Sequence, residues 1–228
     1  MKDAPTPLRP ALTGLGFLVL VLALLTFGPA GTLDYVEGWA FLSVFFVSCL
    51  AITLYLAKKD PKLLQRRTRG GPTAEKEPRQ KIIQVLANIG FASAIVVPAL
   101  DHRHSWSRVL TQVVVLGDAL VALGFTIVFL VFRENTFTSA VIEVADEQAV
   151  VDTGPYALVR HPMYAGALLL LAGTPLALGS FWGLLSFVPL ACTIVWRLLD
   201  EERFLSSHLP GYSPYLRKTR YRLIPRVW

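Results

Sequence analysis

The sequence is poor in charge and in cysteine. Of its 228 residues 17% are charged and 54% are hydrophobic, with a mean hydropathy of +0.51. This composition excludes intrinsic disorder and is too apolar for an ordinary soluble domain. Cys49 and Cys192 are the only cysteines, and both lie in apolar runs, which excludes a disulfide scaffold. No glycine period is present, so the chain is not collagenous.

Common cofactor and metal motifs are also missing. There is no G-x-G-x-x-G opening a βαβ unit, no G-x-x-x-x-G-K-[ST], no C-x-x-C and no H-E-x-x-H. A nucleotide-like cofactor would therefore need something other than a soluble Rossmann domain. His102 and His104 lie together, but further ligands are lacking beside them, so we expect no metal site.

Long hydrophobic runs dominate what is present. Four of them, at 11–30, 38–57, 82–100 and 109–132, approach the roughly 20 residues that a membrane-crossing helix needs. A fifth, from 164 to 199, is too long for one crossing and contains Gly and Pro, which predicts a helical hairpin turning near 176–182. Irregular backbone is excluded from lipid. We therefore predict an all-α fold, a polytopic transmembrane helical bundle of four spans plus a C-terminal helical hairpin.

The amino terminus resembles a secretion signal in one respect, since Lys2 and Arg9 precede an apolar run. That run exceeds the typical hydrophobic region of about 7 to 15 residues, so we expect the segment to be retained.

The distribution of basic residues predicts the orientation. Twenty of the 22 Lys and Arg residues lie in the amino-terminal tail, in segment 58–81, in segment 133–160 or after 196, and only Arg103 and Arg108 lie elsewhere. The positive-inside rule then places both termini and both segments in the cytoplasm. The basic excess thus indicates contact with membrane lipids rather than nucleic acid. We interpret the basic cytoplasmic loop 58–81 as a solvated, orientation-setting segment.

The most informative region runs from Gln148 to Gly166. Gly154-Pro155 marks a turn, and Pro162 suits the first position of a helix. The free N–H groups at such a helix start could bind a carboxylate. Tyr156, His161 and Tyr164 would add ring faces for a cation or a purine, and a nitrogen that titrates near neutral pH. The competing interpretation is a belt of interfacial anchors.

Charged residues within or next to the apolar runs give two further candidates. Arg197 and Glu201 are four residues apart, so they share a helix face. The Arg fork suits a substrate carboxylate or phosphate, although a plain ion pair at the helix end explains the spacing equally well. Asp118 lies inside the fourth run, where a carboxyl group is either functional or hydrogen-bonded to another helix.

Together these motifs resemble a known superfamily. Five motifs occur in this order: Gly154-Pro-Tyr156, Arg160-His161-Pro162-x-Tyr164-x-Gly166, Arg197 with Glu201-Glu202, Pro210-Gly211-Tyr212-x-x-Tyr215 and Ile224-Pro225. This series resembles the isoprenylcysteine carboxyl methyltransferase and phospholipid methyltransferase superfamily of membrane enzymes. The resemblance covers about residues 117–228. It divides the chain into amino-terminal transmembrane helices, 1–110, and a carboxy-terminal methyltransferase region, 111–228.

The resemblance implies S-adenosyl-L-methionine as methyl donor, bound in a cytoplasm-facing pocket, and a lipophilic or lipid acceptor that enters from the bilayer. A chain this compact looks like the bacterial branch of the superfamily, which implies a bacterial inner membrane. By position, the cofactor-binding residues would be Gln148, Ala149, Val150, Val151, Tyr156, His161, Pro162, Met163, Tyr164 and Glu201. Arg197 would face the acceptor, and His161 or Glu202 would serve as base if the acceptor must lose a proton. A one-residue shift in the alignment would exchange Glu201 and Glu202.

Two alternatives stay open at this point. One is a nicotinamide-dependent membrane reductase of the steroid 5-alpha-reductase type, whose carboxy-terminal architecture is similar. The other is a non-catalytic transporter or scaffold in which Asp118 conducts or packs. The first predicts binding of a different cofactor, and the second predicts none.

Overall fold

Helices form the framework of the protein. The computed structural model describes residues 8–68, 75, 77–142, 144 and 148–228, and no strand occurs among them. The helices in this part of the chain are α1 (Leu8–Ala30), α2 (Val36–Lys59), α3 (Pro61–Thr68), α4 (Pro78–His104), α5 (Thr111–Glu134), α6 (Pro155–Leu158), α7 (Pro162–Ala177), α8 (Leu184–His208) and α9 (Tyr212–Lys218). The predicted all-α class is confirmed.

Four of the helices are long and apolar enough to cross a membrane, namely α1, α2, α4 and α5. They correspond to the four predicted runs: α1, α2 and α4 are longer than predicted, and α5 is shifted by two residues. The main difference is at α4, which continues through 101–104, beyond the predicted run that ends at residue 100. The helix ends instead at Ser105, which adopts a left-handed conformation with φ of 54° and donates its N–H to Asp101 O.

The fifth apolar run forms α7 and α8, separated by residues 178–183. The two helices contact each other, but each packs mainly against another helix, α7 against α5 and α8 against α4. Burial against these partners places both helices within the bundle. The turn is tight because Gly179 adopts a φ of +67°, which L side chains disfavour.

Glycines allow α5 and α7 to approach closely. A Cβ atom on Gly124 would lie 2.6 Å from Gly166 O, and one on Gly173 would lie 2.7 Å from Gly117 O. Small residues at a helix interface let the backbones pack in lipid, where the hydrophobic effect does not drive helices together. This packing fixes the position of the amino-terminal end of α7 relative to α5.

Polar contacts show which helix ends lie together. The Tyr35 hydroxyl donates to Leu178 O at 2.6 Å, and the Ser180 hydroxyl donates to Asp101 Oδ2 at 2.5 Å. The α7–α8 turn therefore lies beside the start of α2 and the end of α4. The start of α7 and the end of α8 lie at the opposite end of the bundle, together with α3.

Segment 58–81 is more structured than expected. Asp60 caps α3 by accepting the N–H of Leu63 at 2.9 Å, and the side chains of Leu63 and Leu64 are buried. Glu75 is only 3% exposed. The expectation of a solvated segment is therefore wrong for these residues, because α3 is amphipathic and packs against the bundle.

Candidate functional site

A cavity of about 390 Å³ lies at the end of the bundle where α7 begins and α8 ends. This volume falls in the range of small-molecule sites. Every residue predicted for the site lines the cavity except Glu202, namely Gln148, Ala149, Val150, Val151, Tyr156, His161, Pro162, Met163, Tyr164, Arg197 and Glu201. The structure thus brings together residues that are up to 53 positions apart in the sequence.

The turn before α6 positions Tyr156. Gly154 has a φ of +54°, a conformation that favours glycine, and a Cβ atom there would lie 2.8 Å from the Glu134 carboxyl carbon, so that side chain would have to move. The Tyr156 hydroxyl accepts a hydrogen bond from Asn135 Nδ2 at 3.1 Å. Burial raises the pKa of Tyr156, which keeps this phenol neutral at the cavity wall.

The amino-terminal end of α7 also borders the cavity. His161 precedes the helix and Pro162 is its first residue. The carboxy-terminal segment holds this start in place, since Arg160 N donates to Tyr221 O and His161 N donates to Arg222 O, both at 2.9 Å. Within the helix the first backbone bond runs from Ala165 N to His161 O. The N–H groups of Met163 and Tyr164 therefore lie at the positive end of the helix dipole, beside the cavity.

Glu201 faces this helix start from α8. Its Oε2 accepts a hydrogen bond from the Tyr164 hydroxyl at 2.5 Å, and the same hydroxyl accepts one from Arg197 Nε at 3.2 Å. The three side chains form a connected group across α7 and α8. The second carboxylate oxygen of Glu201 accepts no hydrogen bond from the described residues, so it can accept one from another donor.

Arg197 is held by a network that sequence reasoning missed. Its guanidinium donates to Glu75 Oε1 at 3.0 Å, to Gln80 Oε1 at 3.0 Å and to Ala140 O at 3.2 Å. Glu75 Oε1 also accepts from Gln84 Nε2 at 2.8 Å. A guanidinium has five N–H donors. These bonds and the one to Tyr164 use most of them, so Arg197 organises the cavity wall more than it offers free donors to a ligand.

Glu202 is buried behind the cavity rather than lining it. Its Oε1 accepts from Arg160 at 2.9 Å and lies 3.2 Å from His161 Nε2, and its Oε2 accepts from Arg222 Nε at 2.9 Å. Both oxygens are therefore engaged in holding the α7 start and the carboxy-terminal segment. Of the two neighbouring glutamates, Glu201 lines the cavity and Glu202 does not.

A second cation, Arg67 of α3, was not among the predicted residues but lines the cavity. Its Nη1 donates to Ser139 O at 2.6 Å, and its guanidinium lies 5.1 Å from the centroid of the Phe132 ring. Burial lowers the pKa of Arg67 below the ordinary value, although an arginine stays charged. The helix-start signal Asp60-Pro61 could have revealed α3, but nothing in the sequence shows where this helix docks.

One wall of the cavity is apolar. Ile83 and Ala87 of α4, Val128 of α5 and Ala167 of α7 line it, together with the side chain of Asn88. On the neighbouring outer surface of α4, Ile82, Leu86 and Ile89 are exposed. The cavity therefore joins a polar region near α8 to an apolar region between membrane-spanning helices.

Two other candidates lie elsewhere. Asp118 does not line the cavity, and its Oδ1 is buried without a hydrogen-bond partner among the described residues. His102 stacks on Tyr35 and His104 on Trp106. In the part of the chain that the structure describes, no group of three or more His, Cys, Asp or Glu side chains could hold a metal ion.

The fold and the cavity define a polytopic helical membrane protein with a ligand-sized site at one end of the bundle. Residues 112–210 match the family model described as phospholipid methyltransferase. This match covers α5 to α8 and most of the cavity. It confirms the resemblance to the isoprenylcysteine carboxyl methyltransferase type of membrane methyltransferase superfamily.

A curated relative is the cobalt-zinc-cadmium resistance protein CzcN of Cupriavidus metallidurans. It is 29% identical over 106 residues, which are 46% of this chain and 49% of that protein. The chain thus matches about half the length of this relative. The name of that relative describes resistance to cobalt, zinc and cadmium and specifies no reaction.

Proposed function

We propose that the protein is an S-adenosylmethionine-dependent membrane methyltransferase that acts on a hydrophobic or lipid-like acceptor. The observation that carries this proposal is the cavity, which combines a helix amino-terminal end, Glu201 and an apolar wall between membrane-spanning helices. The family match over residues 112–210 supports the reaction class.

The residues present fit the cofactor. Its amino-acid end carries a carboxylate and an ammonium group, for which the α7 start and the free oxygen of Glu201 are complementary partners. Tyr156 and Tyr164 line the same cavity and offer ring faces to a sulfonium cation or to adenine. The segment Gln148 to Val151 adds backbone groups along one wall.

The bound cofactor would supply an electrophilic methyl group for an in-line displacement. The protein then contributes mainly by orienting the two reactants and excluding water, effects that are worth about 7 to 11 kcal/mol where alignment is good. Arg197, fixed by Glu75 and Gln80, and Tyr164 hold Glu201 in place. The walls of the cavity keep the reaction apart from bulk water.

The acceptor decides whether a base is needed. A carboxylate acceptor, such as that of an isoprenylcysteine-like compound, is already nucleophilic, whereas an amine or thiol must lose a proton. His161 lines the cavity and is the candidate base for such an acceptor. Glu202, which lies 3.2 Å from His161 Nε2, would hold the ring in its orientation.

The apolar wall favours an acceptor with a hydrophobic tail. Ile83, Ala87 and Val128 lie on membrane-spanning helices, so a tail in contact with them would extend toward the bilayer. We further propose that the cavity faces the cytoplasm of a bacterial cell, where the cofactor is made, with both termini on that side. Arg66 and Arg67 of α3 lie at this end of the bundle, which agrees with the positive-inside rule.

Equilibrium binding of S-adenosylmethionine to the detergent-purified protein tests the proposal. We expect saturable binding by the wild type and loss of most affinity in Glu201→Gln. Glu77→Gln is the matched control, because Glu77 is exposed at the start of α4 and does not line the cavity. Binding of NADPH in place of S-adenosylmethionine would support the reductase alternative, and binding of neither by folded protein would contradict the enzymatic proposal.

A further inference from the structure

The cavity is lined by three arginines, and two of them have a carboxylate partner. Arg197 pairs with Glu75 at 3.0 Å, and Arg160 pairs with Glu202 at 2.9 Å. In both cases the partner is a buried glutamate of the protein itself, and Glu202 is shared between Arg160 and Arg222. The third is Arg67.

Arg67 makes different contacts. Its Nη1 donates to the backbone oxygen of Ser139, and one face of the guanidinium lies over Phe132. No ion pair joins it to an acidic residue among those that the structure describes. A partly buried charge is stabilised by a nearby ion of opposite sign.

The chemistry of the side chain limits the choice of ligand. A guanidinium is a planar fork that matches the two oxygens of a carboxylate or phosphate. Glu201, the acidic residue lining the same cavity, can accept from an ammonium or hydroxyl group. Among the described residues that line the cavity, Arg67 is the arginine without an acidic partner and Glu201 is the acidic residue, which suits a ligand that carries both charges.

We propose that Arg67 is a ligand-binding residue, which holds a carboxylate or phosphate group of the molecule bound in the cavity. This inference rests on the proposed function for the identity of that molecule. It also assigns a binding role to α3, which lies outside the matched residues 112–210. The anionic group has two possible sources, the amino-acid end of the cofactor and an acidic group on the acceptor.

The experiment has one arm for each source and uses Arg67→Gln, Arg67→Lys and the control Arg66→Gln. Arg66 precedes Arg67 on α3 and likewise donates to a backbone oxygen, that of Thr136 at 2.7 Å, but it does not line the cavity. Thermal unfolding of each variant in detergent shows that it is folded.

The first arm compares S-adenosylmethionine with its decarboxylated form, which lacks only the carboxylate. If Arg67 holds the cofactor, Arg67→Gln weakens binding of S-adenosylmethionine about 10- to 100-fold and leaves the decarboxylated form unchanged. Arg67→Lys should recover part of the loss, and Arg66→Gln should bind as the wild type does.

The second arm compares oleate with oleyl alcohol, both titrated into protein saturated with S-adenosylhomocysteine. If Arg67 holds the acceptor, Arg67→Gln weakens the binding of oleate by a similar factor and leaves the binding of oleyl alcohol unchanged. A selective loss in either arm supports the proposal and identifies the source.

Two results would overturn it. One is that Arg67→Gln binds both S-adenosylmethionine and oleate with wild-type affinity. The other is that it loses affinity equally for these two ligands and for their counterparts without a carboxylate, which would indicate a structural role. Failure of the wild type to bind S-adenosylmethionine contradicts the proposed function instead, and the oleate arm, repeated without S-adenosylhomocysteine, then tests Arg67 alone.

Discussion

The Glu75 carboxylate and the Arg197 guanidinium form an ion pair with an N–O distance of 3.0 Å. The Glu75 side chain is 2% exposed and that of Arg197 is 15% exposed, so the pair is largely removed from solvent. Glu75 belongs to the amino-terminal half of the chain and Arg197 to α8. The wall of the cavity therefore depends on both halves, although the family match covers only the second.

Removing Glu75 should destabilise the protein. In Glu75→Gln the buried Arg197 loses its counter-ion, and breaking a buried pair from one side costs about 3 to 5 kcal/mol. Thermal unfolding in detergent should show a lower midpoint than in Glu77→Gln, whose side chain is exposed. The double variant Glu75→Gln, Arg197→Gln should recover part of the loss, since it leaves no unpaired charge. Equal midpoints for Glu75→Gln and Glu77→Gln would show that the pair contributes no stability.

The sequence predicts the matched half of the site well and the other half poorly. Pro162, the tyrosines and the Arg197–Glu201 spacing lie in one continuous stretch, and their helix positions follow from local rules. Glu75 and Arg67 lie in a charged segment whose composition is typical of a solvated loop. Their place at the cavity comes from tertiary packing of α3 and from partners more than 70 residues away, which local patterns do not encode.

The neighbouring glutamates of α8 should respond differently to the same substitution. Glu202→Gln removes the charge that holds Arg160 and Arg222, so it should lower the unfolding midpoint by an amount equivalent to about 3 kcal/mol or more. Glu201→Gln should leave the midpoint close to that of the wild type, because its described hydrogen bond is to the neutral Tyr164 hydroxyl. It should instead lose affinity for S-adenosylmethionine. Calorimetry and S-adenosylmethionine binding, measured on both variants, check this prediction. A lower unfolding midpoint in Glu201→Gln alone would reverse our assignment of the two residues.

The glycine contact between α5 and α7 should tolerate little added volume. In Gly124→Ala the new methyl group would lie 2.6 Å from Gly166 O, so the helices must move apart at a cost of about 1 to 3 kcal/mol. Gly14→Ala is the control, because a Cβ atom there meets nothing within 4 Å. In that variant the higher helix propensity of alanine should leave stability equal or slightly raised. Equal changes in the unfolding midpoint of the two variants would contradict this packing argument.

The orientation in the membrane can be tested on two exposed positions at opposite ends of the bundle. Arg108 follows α4 at the end that holds the α7–α8 turn, and Ser213 lies on α9 near the cavity end. With Cys49 and Cys192 replaced by alanine, Arg108→Cys and Ser213→Cys each provide one cysteine for labelling. In intact bacterial cells a membrane-impermeant maleimide should label the first and should label the second only after permeabilisation. This result follows from the positive-inside rule, since most Lys and Arg residues lie in the sequence segments that are predicted to be cytoplasmic, including the one that contains Ser213. The reverse pattern would place the cavity outside the cell, away from the supply of S-adenosylmethionine, and would contradict the orientation and the cofactor assignment together.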